Sequence, residues 1–480
     1  LTKLIVPFFC KINLNQNIMN DKHIKWMFII FPAVSMLLGW GLRGHIGGGP
    51  FGAMIPGALV ALSLCMLLRL PSNLTAIIVV FGVVGIGLGG EMTYGQTLSF
   101  LKYPETMWWG VLATTIKGAV WGVLGATVLS LGFLYNHLKK KTIAVGFLLM
   151  MLGMLVGFKL INEPMIIYFS NPVKPRPESW GALMLGAIFL LTYLKYKLAK
   201  DDFKIISRFA TFGLIGGGLG FGLGGFWFVL GSALPKEIIF KSWWKAMEFS
   251  FGFLLGASLG YATWLLRKEI TLIGESDNKP TVKLNIYKEL GLTLLAGLLI
   301  YWVIPNSLEP FVDAASMNDG IFISGLRTIT QILVNYSFYG FILVVAIMYI
   351  PKLAWQIGIT LTFCHTAIDF IRDNFSDQYT NSPFIAALWV LSLTLIIALL
   401  TAYFRRKNEV NKSLFLLLVW STMTISSLAF LVTGRWDVTG LSFTEILFRH
   451  YFVDLIFTIS ALYVSWFTIK KIEEINSDWV

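Results

Sequence analysis

The chain has 480 residues, of which 56% are hydrophobic, 15% aromatic and only 13% charged, with a net charge of +12 and a mean hydropathy of +0.72. An average globular chain is about one quarter charged, so this composition excludes an ordinary soluble enzyme, and recurrent apolar runs exclude a disordered or fibrous chain. No basic block with interleaved aromatics stands in a long loop, which sets nucleic acid aside and leaves the lipid bilayer as the partner the composition requires.

Residues 1–24 are expected to form a cytoplasmic N-terminal extension: the apolar run within 1–18 is too short to span and lacks a small-residue cleavage site. A hydrocarbon core about 30 Å thick needs about 20 apolar helical residues. Runs of that kind lie near 25–43, 52–69, 74–97, 107–135, 142–161, 179–197, 205–232, 243–267, 286–305, 322–350, 352–371, 383–404, 413–433 and 450–469. The fold class is therefore an all-α polytopic membrane protein of about fourteen spans, with Ile350-Pro351 dividing the longest run because proline cannot continue the helical ladder. Of the 38 Lys and Arg residues, 25 fall at the termini and in alternate loops and 12 on the other face, with Lys117 inside a span. The excess places both termini, including the tail 471–480, in the cytoplasm of a cell whose plasma (inner) membrane holds the chain.

The chain also resembles itself. PFGAMIPGALVAL (50–62) aligns with SWGALMLGAIFLL (179–191), and FGVVGIGLG (81–89) with FGLIGGGLG (212–220), at offsets of 129 and 131 residues. Trp108 and Trp109 before GVLGA (122–126) are echoed by Trp243 and Trp244 before FLLGA (253–257). The expected unit is four helices, with repeat 1 in 25–135, repeat 2 in 142–267 and a six-helix region in 286–470. An even number of helices gives both copies the same direction through the membrane.

Ionisable groups within spans are costly, so each is a functional candidate. In the first repeat these are Arg43 and His45 in GWGLRGHIGGGP, Glu91 with Tyr94 and Gln96 in GLGGEMTYGQT, and Lys117 in TTIKGAV. With the termini inside, all belong to one outer layer, where Trp108, Trp109, Trp243 and Trp244 supply flat rings suited to stacking on a sugar-like solute. An ion pair of Glu91 with Arg43 or Lys117 that merely fixes packing is the bland alternative. The second repeat places Gly222, Gly225 and Trp227 opposite Glu91, Tyr94 and Gln96, so the chemistry is not duplicated. Two His-x-x-x-Asp pairs follow, His365/Asp369 with Asp373 nearby, and His450/Asp454. Side chains four apart share a helical face and suit proton exchange.

Cys10, Cys65 and Cys364 lack the spacing of a disulfide framework or thiolate site, and no HExxH or carboxylate–histidine motif is present, so no metal is implied. No cofactor is implied either, since a Walker loop is missing and GGGLGFG lies inside an apolar helix. The expected function is a secondary transporter or permease for a small polar solute, anionic or sugar-like, opening to the extracytoplasmic face. The rival is an integral-membrane transferase or hydrolase acting on a carbohydrate or lipid-linked substrate, with Glu91 or His45 as general acid or base and Arg43 as an anion clamp. Polar lining across the midplane separates the two, and only Lys117 and residues such as Asn335 offer it here. The topology predicts that a cysteine at position 48 is labelled by an impermeant reagent in intact cells and one at position 140 only after the membrane is opened; the reverse pattern overturns it.

Overall fold

The computed structural model describes residues 2–43, 48–171, 173–234, 243–275, 285–314, 320–375, 382–432 and 437–473, excepting the side chains of 2–21, 275, 321 and 448–450. All regular structure among the described residues is helical. The first helices are α1 (Thr2–Arg43), α2 (Gly49–Leu67), α3 (Ser72–Leu88), α4 (Gly95–Ser99), α5 (Met107–Phe133), α6 (Lys140–Gly157), α7 (Trp180–Lys197), α8 (Lys200–Ala233), α9 (Trp243–Leu265) and α10 (Arg267–Glu275). They are followed by α11 (Ile286–Leu298), α12 (Glu309–Asp313), α13 (Ile321–Val334), α14 (Tyr336–Tyr349), α15 (Thr362–Asn374), α16 (Pro383–Phe404), α17 (Val410–Val432), α18 (Phe443–Glu445) and α19 (Phe452–Trp466). Start signals are visible at several: Asn285, Asn335 and Ser382 accept the backbone N–H two residues on.

Ten helices among the described residues are long and apolar enough to cross a membrane, and twelve if two bent pairs each count as one span. The pairs are α9 with α10, bent by 73°, and α13 with α14, bent by 58°. Fourteen spans were expected, and the difference has two sources. The last turns of α7 carry Tyr193, Lys195, Tyr196 and Lys197, which leaves its apolar part short. The 352–371 run is composite: a 3-10 turn at Pro351–Leu353, a π-helical stretch at Gln356–Leu361, then α15.

Six helices close into a ring, α1 beside α2, α2 beside α3, α3 beside α5, α5 beside α8, α8 beside α9, and α9 back against α1. Glycines make the ring possible, because a Cβ at Gly122 would overlap the carbonyl oxygen of Gly213, and one at Gly260 that of Phe28. Backbones this close gain dispersion contacts over their whole length, which is how helices associate where lipid removes the hydrophobic drive. The rest of the molecule is applied to this ring. The α6–α7 pair lies against α5, α14 lies on α3, α15 and α17 on α2, and α19 on α1. Exposed side chains of the outer helices are largely apolar, such as Leu155, Ile188, Leu388 and Leu462, as a lipid-facing surface requires.

Gly122→Leu is expected to lower stability by about 1–3 kcal/mol or more, as overpacking does. Gly325→Ala, whose new Cβ meets nothing within 4 Å, is expected to leave the thermal midpoint in detergent unchanged or slightly raised. Equal midpoints for the two variants would remove the ring contact from its structural role.

Candidate functional site

Arg43 ends α1, Glu91 closes a 3-10 turn after α3, and α9 begins at Trp243, so these groups gather at one end of the bundle. On the ring axis at that end, Arg43 is 3% exposed and lies over the rings of Trp40, Tyr94 and Trp121 at 5.2, 5.5 and 5.4 Å. It donates to the Tyr94 hydroxyl and to the carbonyl of Gly49 (3.2 Å). Glu248 on α9 accepts from the Tyr94 hydroxyl (3.3 Å), Trp244 Nε1 (2.9 Å) and Lys245 Nζ (2.9 Å), and Lys245 also bonds the Gly41 carbonyl. Phe221 and Phe251 complete the aromatic wall. Each of α1, α5, α8 and α9 thus contributes to one buried constellation that joins two cations and a carboxylate to tilted and edge-to-face rings.

Lys117 takes a different part. It is 1% exposed, and its three donors are satisfied by Glu178 (2.9 Å), the Thr93 carbonyl (2.6 Å) and Thr97 Oγ1 (2.8 Å). Glu178 in turn accepts from Ser170 Oγ and the Phe169 N–H. Gln96 holds the same connection, donating to the Lys174 carbonyl and accepting from the Asn171 N–H. Lys117 and Gln96 therefore fasten the loop between α6 and α7 over the end of α3, Lys117 from a buried position and Gln96 at the surface.

Glu91 pairs with neither Arg43 nor Lys117 among the described residues. Its Oε1 accepts the N–H of Tyr336 (3.0 Å), the first residue of α14. A carboxylate at a helix N-terminus meets both unsatisfied N–H groups and the positive end of the helix dipole. Around it lie Phe51, with ring centroids 5.6 Å from Tyr301, 5.4 Å from Tyr336, 6.3 Å from Tyr339 and 5.5 Å from His365. His365 is stacked on Tyr301 and has Nε2 3.1 Å from Asp369 Oδ2, out of line for a hydrogen bond. Arg372 grips Asp369 at 2.6 Å. Among the described residues, the Tyr339 hydroxyl, His365 Nε2 and Arg43 Nε are buried without a hydrogen-bond partner.

The other candidates are dispersed. Trp108 and Trp109 are 66% and 41% exposed, edged by Phe226 and Phe169. Trp243 stacks on Trp227, while only Trp244 of that pair enters the constellation. Asp373 is on the surface beside Arg372, and Asp454 is half-buried in the first turn of α19. His45 and the side chain of His450 lie outside the described residues. Among the described residues no group of three or more His, Cys, Asp and Glu is placed to hold a metal. A cleft of about 540 Å³ opens at the opposite end of the bundle, lined by Arg69, Asn411, Lys412 and Glu473 among others. There Lys412 pairs with Glu409 and Glu473 and holds the Glu473 carboxyl below its ordinary value, so the cleft's charges are already matched.

Comparison with protein-family models, with curated proteins and with solved structures finds no match for the chain. Sequence reasoning missed Lys245, Glu248 and Glu178, as well as Trp40, Trp121, Tyr301, Tyr336 and Tyr339. The first two carry the signal already applied to Lys117, an ionisable residue inside an expected span. The aromatic residues carry no such mark in a chain with this many rings.

Lys117→Met leaves Glu178 buried without its cation and is expected to cost about 3–5 kcal/mol, whereas adding Glu178→Leu should recover much of that loss. Chemical unfolding of both variants checks it. A stable Lys117→Met protein that has lost ligand binding would return Lys117 to the site.

Proposed function

We propose that this protein is a secondary transporter for a small polar solute, anionic or sugar-like. In this reading the termini are cytoplasmic, the membrane is the plasma (inner) membrane, and the Glu91 end opens outward. The observation that carries the proposal is the convergence of three irregular helices on Phe51 of the ring, one of them also bonded to Glu91. The chain around Tyr301 is π-helical over Leu299–Leu308, the 322–349 run is broken at Asn335, and His365 follows the π-helical stretch Gln356–Leu361. Irregular backbone is tolerated at membrane depth where it is covered by protein or lines a cavity. Half-helix N-termini facing charged groups are how many transporters build solute and ion sites. The solute would lie between the ring, through Arg43, Phe51 and Glu91, and the outer layer, through Tyr339, His365 and Asp369. Glu91 would hold a solute hydroxyl or a proton while keeping α14 capped.

Fourteen spans and the four-helix duplication belong to the same proposal, with 180–197 and 351–374 counted as short or composite spans. Glycine packing supports the duplication in outline: Gly85 and its counterpart Gly216 each pack against the next long helix, though not on equivalent residues of it. The second helices of the units differ, since α2 lies along α3 whereas α7 lies against α6 and α5.

One observation favours the enzyme reading. Deeper in the ring, the hydroxyls of Ser35, Ser63, Thr127, Ser130 and Thr263 bond carbonyls of their own helices, so the ring axis itself has polar chemistry at one end. A transferase or hydrolase acting at that face on a carbohydrate or lipid-linked substrate would use Glu91 or His45 as acid or base and Arg43 as clamp.

Proteoliposomes incubated with a mixture of sugars, sugar acids and carboxylates, with the lumen read by mass spectrometry, separate the two. At least one solute should be retained unchanged. Glu91→Gln, whose amide oxygen can still accept the Tyr336 N–H, should lose about tenfold or more of that uptake, the effect of removing one acid–base group, with little change in thermal midpoint. A destabilised but fully active variant would remove Glu91 from the site, and a chemically altered product would turn the reading to the enzyme.

A further inference from the structure

A buried polar ladder unconnected with the ring axis runs along the composite helix 351–374. At the end opposite Glu91, Glu289 is 1% exposed and is held by both terminal nitrogens of Arg405 at 2.8 Å. Arg405 reaches the Lys352 carbonyl as well. Gln356 Nε2 donates to Glu289 Oε1 (2.9 Å), and Gln356 Oε1 accepts from Thr360 Oγ1 (2.6 Å), which lies 2.9 Å from Thr401 Oγ1. One turn on, Cys364 Sγ lies 3.6 Å from Thr394 Oγ1, and Tyr301 Oη donates to the Leu361 carbonyl (2.6 Å). His365 and Asp369 follow, beside the Glu91 cluster. Steps of four keep Gln356, Thr360 and Cys364 on one face, and thirteen residues at about 1.5 Å each take the ladder about 20 Å along the helix axis.

The flanking helices are cut back along this face. A Cβ at Gly297 on α11 would overlap Thr394 on α16, and Ala398 presents only a carbonyl, to Gln356. Buried polar groups are costly in lipid unless paired, and here each rung from Glu289 to Thr401 is paired with the next. The π-helical winding at Gln356–Leu361 adds a residue per turn, a feature frequent at functional sites.

We propose that this ladder is the second half of the solute and water route, leading from the Glu91 cluster to the opposite face, and that the Glu289–Arg405 pair is the gate that closes it there. The assignment rests on the transport reading and meets its chief requirement, polar lining across the midplane. The pair suits a gate because its bidentate geometry is directional and is lost as a unit when α11 and α16 part. It also stands next to the Pro351 break, where the chain has no continuous helix to resist that parting.

Cys364 provides a native reporter halfway along the ladder. In protein carrying Cys10→Ser and Cys65→Ala, reconstituted in liposomes, a charged thiol reagent is applied from the Arg405 side and labelling is read by intact mass. With the gate intact, Cys364 should be protected. In Glu289→Ala it should react at least about tenfold faster, because a decade in open population needs much less energy than a broken buried pair releases. Exchanging the charges, Glu289→Arg with Arg405→Glu, should restore part of the protection. Where Glu289→Ala does not fold, Arg405→Lys keeps the charge, loses the fork and should show the intermediate rate. Folded gate variants with Cys364 as protected as in the parent overturn the proposal, and so does equal labelling of the parent. Faster labelling with no solute retained by liposomes would leave the route and remove transport; uptake by the parent with Cys364 protected in every variant would do the reverse.

Discussion

Backbone contact between glycine-bearing helices is the constraint on which the molecule depends. At the α5–α8 interface, Gly118 and Gly122 face Gly217 and Gly213 so closely that no side chain larger than hydrogen fits between them. The same rule holds where Gly252, Gly256 and Gly260 of α9 meet α1. In lipid this closeness substitutes for the hydrophobic effect, since dispersion and weak polar contacts grow steeply as backbones approach. It closes six helices into a ring and so fixes where Arg43, Tyr94, Trp121, Phe221 and Glu248 meet. None of these side chains would find the others if the helices stood a methyl group farther apart.

Charge inside this scaffold is handled in two ways. Lys117 and Glu178 are matched, with every donor of the ammonium and both carboxylate oxygens in use. Such a pair is stabilising only as a pair and gives the α6–α7 loop a single docked position. Arg43 is held by a hydroxyl, a carbonyl and three ring faces rather than by a carboxylate of its own, and Glu91 is held by a backbone N–H. Cation–π and helix-terminus interactions are weaker and less directional than a bidentate ion pair. They retain a charge while leaving it available to something else. That difference separates a fastener from a candidate site more sharply than burial does, because all four ionic side chains are largely shielded.

The spans are legible in the sequence for the reason that about 20 apolar residues in a row have few other homes. Where the reading and the structure part, the cause is local polarity that hydropathy averages away. Lys195 and Lys197 shorten α7, and the composite winding after Pro351 divides a run that looked continuous. Glu91, Arg43 and Tyr94 are legible as unusual residues, but their partners are not: Tyr336 lies 245 positions from Glu91, and Glu248 lies 154 from Tyr94. Periodicity carries no information across such distances. The expected repeat drew attention to Trp108 and Trp243 as equivalents, yet their surroundings differ: Trp108 meets Phe226 edge-on, whereas Trp243 stacks on Trp227. Glu289, Lys245 and Glu248 were within reach of the rule that singled out Lys117, an ionisable group inside an apolar run.

The two halves of the molecule differ in regularity as well as in position. Ring helices α2, α3, α5, α8 and α9 run without a π-helical turn, and their glycine contacts resist sliding, since each carbonyl lies in a notch on its neighbour. The outer layer holds the described π-helical segments from Leu299 onward, the Asn335 break and the Pro351 turn. A break in the hydrogen-bond ladder is where a helix bends at least cost. Under the transport proposal, a change that alternates access to Glu91 would move the outer helices against a ring that stays fixed. The cap on α14 lies on that boundary, because Glu91 belongs to the ring and the N–H it accepts belongs to the layer. Protonating or engaging that carboxylate weakens a bond between ring and layer, which in the proposed transport reading would couple solute binding to movement of the layer.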